Sequence, residues 1–168
     1  MVFGEENITS ICPDCLLNGK LIDRDTFTCG GDFAKLKRQL KETNHSLTDL
    51  KIEEIAKQKT MELEKKTLHI ISWQDWSWPC SDGEYCKFIG YGSKPFYNAL
   101  ATKTTGENLF KNSFYYTLKD DSNVDYLWKE ILPENEVKDY KDSNELSTLF
   151  YVFRSLNSDK IISIWDSY

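Results

Sequence analysis

The amino-acid sequence predicts a single α+β domain, a mostly antiparallel sheet with an N-terminal helical pair and short inter-strand helices. Three observations carry that expectation. Apolar residues recur at helical spacing between residues 32 and 66, and five short runs rich in β-branched and aromatic residues follow from Leu68 onward. No internal repeat, low-complexity segment or linker marks off a second domain in the 168 residues. A chain of this length buries about two thirds of its unfolded surface, so neither disulfide nor metal is needed for it to fold.

Residues 1–31 read as a loop-rich cysteine segment, with turn signals at Asn18-Gly19 and Gly30-Gly31. The helical pair occupies 32–66. Asp32 is placed to cap a helix that carries Phe33, Leu36 and Leu40 on one side and stops near Asn44. "SLTD" at Ser46–Asp49 has the spacing of a capping box, which predicts a second helix running to about Lys66. Leu47, Leu50, Ile55 and Leu63 are its expected apolar face, and Glu53–Lys57 and Glu62–Lys66 are favourable pairs four residues apart.

The sheet-rich part is 68–168. "LHII", "KFIGY", "SFYYTL", "LFYVF" and "IISIW" are its expected strands, the last two forming a C-terminal hairpin around "RSLNSD". "SKPFYNALA" and "VDYLWKEIL" read as short helices between strands.

A net charge of −6 disfavours direct contact with nucleic acid or an anionic membrane and favours a basic protein partner. "MVFGEENITS" shows no basic stretch followed by an apolar run, and eighteen apolar residues never occur together, so a cytoplasmic location is expected. In that reducing compartment five cysteines, an odd number, point to thiols or metal ligands rather than disulfides.

Cys12 and Cys15, in C-x-x-C, can wrap one edge of a metal, and Cys80 with Cys86 could supply the two further sulfurs of tetrahedral zinc. Equally, all five cysteines, Cys29 included, can be small buried thiols. Three tryptophans, Trp73, Trp76 and Trp78, precede the second pair. Catalytic signatures are absent: there is no G-x-S-x-G, H-E-x-x-H or P-loop pattern, and His45 and His69 are isolated. The protein is therefore not expected to be an enzyme. A thiol hydrolase using Cys12 or Cys86 with His69 is the remaining catalytic alternative.

Lys119–Glu145 holds nine carboxylates against four lysines, nearly the whole net charge, with Tyr126, Trp128 and Tyr140 interleaved. That composition suits a grip on a basic protein: aromatic anchors supply affinity while carboxylates speed and select the encounter. The expected contacts are Asp120, Asp121, Asp125, Tyr126, Trp128 and Glu130. A solvated acidic face with its rings turned inward has the same composition.

Three stretches resemble the CbrC-like family of bacterial proteins, named for a protein associated with colicin tolerance. "CPDCLLNGK" at 12–20 is similar to its C-P-x-C-I-x-[DN]-G, "SWQDWSWPCSDGEYCKFIG" at 72–90 to its S-W-Q…C-x-D-Y-C-x-F-x-G, and "LFYVFRSLNSD" at 149–159 to its L-F-R-C-x-x-C-G. The resemblance covers most of the chain outside residues 30–60.

The chain reads as a divergent member, lacking the first and last cysteine pairs. The family's upstream C-x-x-C-G-K has no counterpart here, and Ser155 and Ser158 stand where its last two cysteines would be. If the missing pairs shared one site, the resemblance implies structural zinc held by Cys12, Cys15, Cys80 and Cys86. If each site lost one half, no complete site remains. The tie to colicin tolerance implies an immunity or antitoxin-type protein that neutralises a cognate, basic toxin by stoichiometric contact. A zinc-braced interaction domain regulating another bacterial protein is the alternative.

Overall fold

A computed structural model describes residues 3–4, 8, 10–118, 121–143 and 146–167. The fold is α+β, and every pair of strands is antiparallel. The chain forms two compact units, Met1–Ile71 with Asp75–Cys86, and Ser72–Gln74 with Lys87–Tyr168.

In the first unit, β1 (Phe3–Gly4) pairs with β2 (Thr26–Phe27), and between them lies the short helix α1 (Pro13–Leu17). The helical pair is α2 (Phe33–Thr43) and α3 (Asp49–Lys66). Asp32 caps α2 as expected, its carboxylate accepting from the Lys35 amide at 3.1 Å, and the helix ends at Asn44. Leu36 and Leu40 are buried along its inner face.

Two expectations for α3 are corrected. The cap is Thr48, whose hydroxyl accepts from the Lys51 amide at 3.3 Å, so the helix starts inside the Ser46–Asp49 box. The buried stripe is Ile52, Ala56 and Leu63, residues that repeat within about 40° of one another at 100° per residue, while Leu50 lies on the far side and is 85% exposed. The expected Glu53–Lys57 pair is present at 3.3 Å, and Glu53 also binds Lys37 of α2.

β3 (Cys80–Ser81) and β4 (Glu84–Tyr85) form a tight hairpin around Asp82-Gly83. Both turn residues have positive φ, 57° and 75°, the conformation for which Asp-Gly is favoured in a two-residue hairpin. Gln39 fastens this hairpin to α2: its amide nitrogen donates to the Cys80 carbonyl at 3.2 Å and its oxygen accepts from the Gly83 amide at 3.2 Å.

The second unit is built on the sheet β5 (Lys87–Tyr91), β6 (Thr148–Arg154) and β7 (Ile161–Ser167), with β6 in the middle. Leu149 to Phe153 are completely buried, which accounts for an unbroken apolar run where a half-exposed strand would alternate. The expected C-terminal hairpin is present, in register from Thr148↔Ser167 to Arg154↔Ile161. β5 carries a bulge between Phe88 and Gly90, and Gly90 has a φ of +145°.

The helices α4 (Lys94–Leu100) and α5 (Gly106–Lys111) are capped by Ser93 and Thr105, and α6 (Asp121–Tyr126) runs into a π-helical turn, Leu127–Ile131. Tyr97, Phe110, Leu127, Leu132, Phe150, Val152 and Ile161 form the core they share with the sheet. The Phe110 ring is central, with Tyr97, Phe114 and Phe150 edge-on at 5.1, 5.0 and 5.4 Å.

Two expected strands are not strands. "LHII" is irregular, and its His69 Nδ1 hydrogen-bonds the Thr28 carbonyl at 2.9 Å. "SFYYTL" contributes one parallel bridge, Phe114↔Ser163, with Ser163 N–H donating to the Ser113 carbonyl at 2.7 Å and Tyr115 N–H to the Ser163 carbonyl at 2.9 Å.

Candidate functional site

The acidic aromatic segment of the second unit is organised by its turn. Leu132 N–H reaches back five residues to the Leu127 carbonyl at 2.7 Å, widening the helix by one residue where α6 ends. Leu127 points into the core, and this fixes what its neighbours can do. Trp128 is half-buried, its ring 5.6 Å from Phe110 and covered by Lys94 Nζ at 5.9 Å, so it serves the core as well as the surface. Tyr126 is 55% exposed, and Asp125 and Glu130 are exposed beside it in sequence.

Asp125 is not a bare charge. Lys111 Nζ lies 2.5 Å from its carboxylate and 2.7 Å from that of Glu107. The hydrogen bond from Lys111 holds the Asp125 carboxyl below its ordinary range, and Asp125 followed by Glu107 pushes Lys111 up. Of the six expected contact residues, Asp125, Tyr126 and Glu130 thus share the solvent-facing part of this turn. Asp121 opens α6, but its side chain lies outside the described residues, as does Asp120 altogether.

The cysteines lie in the first unit. Cys12 caps α1 through its sulfur, which accepts from the Cys15 amide at 3.2 Å, and Pro13 follows at the first helical position. The Cys15 thiol also hydrogen-bonds the Cys12 sulfur, which lowers the pKa of Cys12 and raises that of Cys15. Cys80 and Cys86 are buried instead. Cys80 sits against the Asp32 carbonyl, and the Cys86 carbonyl accepts from Trp78 Nε1 at 2.7 Å.

None of the five cysteines is in a disulfide. Among the described residues, no three His, Cys, Asp or Glu side chains form a group that could hold a metal ion. The structure brings Cys12 to Cys15 and does not gather the four sulfurs that the resemblance implies. Cys29 is a packed thiol near the Leu63 carbonyl, and burial pushes its pKa up to about 12.

A cleft of about 510 Å³ between α2 and α3 is lined by Lys37, Arg38, Lys41, Asp49, Ile52 and Glu53. Two of its cations are already engaged, Lys37 with Glu53 and Lys41 with Asp49 at 2.7 Å.

The model of an uncharacterised protein family (UPF0167) matches residues 1–167, a span that takes in the acidic turn and all five cysteines. The chain belongs to this family. No curated protein and no solved structure matches it. Among the described residues of this UPF0167 chain, no helix is long and apolar enough to cross a membrane.

Asp166 escaped the sequence reading. It falls two and four residues after Ile164 and Ile162, on the buried face of an apolar strand, and a carboxylate at such a position is the signal that could have singled it out.

Proposed function

We propose that this protein acts in the cytoplasm by stoichiometric binding, as an immunity or antitoxin-type inhibitor that neutralises a basic toxin domain. The observation that supports the reading is Tyr126, an exposed aromatic flanked by exposed carboxylates where α6 widens into the π-helical turn. An aromatic ring with acidic neighbours suits a partner whose active surface is basic because it handles nucleic acid. The similarity of the three quoted stretches to CbrC-like proteins supplies the link to toxin tolerance.

The test is co-expression with candidate toxin domains followed by binding measurements on purified pairs. A 1:1 complex that protects cells is expected, with affinity falling as salt rises. The triple variant Asp125→Lys, Tyr126→Ala, Glu130→Lys is expected to lose both binding and protection. Full protection by that variant would remove this turn from the interface.

Zinc bracing of the first unit by Cys12, Cys15, Cys80 and Cys86 is proposed on the resemblance, with the apposed sulfurs of Cys12 and Cys15 as its structural support. Metal analysis of protein purified from zinc-supplemented cells tests it. One zinc per chain, lost on Cys12→Ser and equally on Cys80→Ser, is the expected result. Zinc-free protein with normal stability would refute it.

A further inference from the structure

Asp166 on β7 is 1% exposed. Its Oδ2 accepts from the Trp73 amide at 2.7 Å, the Gln74 amide at 3.3 Å and the Tyr151 hydroxyl at 3.4 Å. Its Oδ1, equally buried, has no hydrogen-bond partner among the described residues. A buried carboxylate oxygen left without a donor is costly, so three donors on one oxygen and none on the other is an incomplete arrangement.

Aromatic residues gather near this carboxylate. Tyr151 contacts it directly, Tyr91 lies 5.7 Å from Tyr151, and Trp73, whose amide holds Oδ2, lies 6.4 Å from Tyr140. Burial and then the Asp166 charge, with further contributions from Tyr91 and Tyr140, push the Tyr151 phenol up. Tyr91 is raised by burial, then by Asp139 and Tyr140. Tyr151 thus feels the Asp166 charge as well as its ring neighbours. Trp73, Tyr91 and Tyr140 are half-buried, whereas Asp166 and Tyr151 are withdrawn from solvent.

We infer that Asp166 and the rings of Trp73, Tyr91, Tyr140 and Tyr151 form a binding site for an alkylammonium ion. The ammonium N–H completes Asp166 Oδ1, and the adjoining methylenes lie on the aromatic faces, which attract a cation. A primary ammonium suits the site better than a guanidinium: only one oxygen lacks a donor, whereas the guanidinium fork seeks two acceptors. The ammonium belongs to a free amine or to a lysine side chain of another protein. This inference is independent of the acidic turn and of the toxin-binding reading.

The test is an NMR titration of the ¹⁵N-labelled full chain with n-butylammonium, tetramethylammonium and an Nα-acetyl-lysine amide. Saturable shifts of the Trp73 and Gln74 amides with butylammonium are expected. Tetramethylammonium, which has no N–H, is expected to bind at least about tenfold more weakly. Tyr140→Leu, at a half-buried ring, should weaken butylammonium by about tenfold while the spectrum stays folded, and Asp166→Asn should abolish binding. Tighter binding of the lysine amide than of butylammonium assigns the site to a protein lysine, and equal or weaker binding assigns it to a free amine. Shifts that never saturate, equal affinity for tetramethylammonium, or unchanged affinity in Tyr140→Leu would each overturn the inference.

Discussion

The Tyr97 hydroxyl lies 2.6 Å from Ser163 Oγ, with both side chains fully withdrawn from solvent. Ser163 Oγ is in turn 2.7 Å from Ser113 Oγ, and Ser113 donates to the Phe110 carbonyl at 2.7 Å. Because the Ser113 proton is committed to a carbonyl, Ser113 accepts from Ser163, and Ser163 accepts from Tyr97. The direction of this chain makes its members unequal. Tyr97→Phe removes only the leading donor and should cost about 1 kcal/mol, whereas Ser163→Ala takes away the close acceptor of the buried phenol, leaving only Ser113 near it, and should cost about 2 kcal/mol. Denaturant unfolding of the two variants measures the difference, and a cheaper Ser163→Ala would show the chain does not run this way.

The start of α3 gives a second comparison. Thr48→Ala removes the hydroxyl that holds the Lys51 amide and should destabilise by about 1 kcal/mol. Ser46→Ala should change stability by no more than about 0.5 kcal/mol. The reverse ranking in thermal or chemical unfolding would restore the capping box at Ser46.

Thiol chemistry should follow burial. With N-ethylmaleimide at neutral pH, Cys12 should react first, being exposed and lowered in pKa by the Cys15 thiol. Cys80 and Cys86 should react at least about a hundredfold more slowly, through transient opening of the fold. Time-resolved mass spectrometry of labelled peptides reads the order, and early labelling of Cys86 would contradict it.

Cys29 carries a pH dependence of known sign. Burial raises its folded-state pKa to about 12 from the ordinary thiol value of 9.0, so the folded state keeps a proton that the unfolded chain releases. The stability it contributes is complete below the unfolded value and is lost as pH rises through the window from about 9 to about 12. Unfolding free energies measured between these limits should fall less steeply in Cys29→Ala than in the parent, and parallel curves would assign the slope to other groups.

Local signals were legible and long-range ones were not. Asp32 with Leu36 and Leu40 was readable because cap and period lie within one helix. β6 and β7 were readable because their apolar runs are long and adjacent. "LHII" has equal strand propensity, yet His69 bonds a carbonyl 41 residues away, and no spacing rule reports that partner. Ser46 and Thr48 offered the same chemistry two residues apart, and propensity could not choose between them. At the candidate site, composition marked the acidic turn but not the Lys111 that pairs with Asp125, a residue from another helix. Asp166 was hidden for the same reason: its donors arrive from Trp73 and Gln74, more than ninety residues earlier.

The bulge in β5 bears on how the protein behaves at high concentration. Among the described residues its one strand neighbour is β6, so β5 is an edge strand, the position at which an extended chain can pair. A flat edge there would invite copy after copy to stack into fibres. The kink at Phe88–Gly90, which Gly90 permits with a φ of +145°, breaks the even spacing such stacking requires. A single residue without a side chain thereby helps keep an aromatic-rich sheet from seeding its own precipitation.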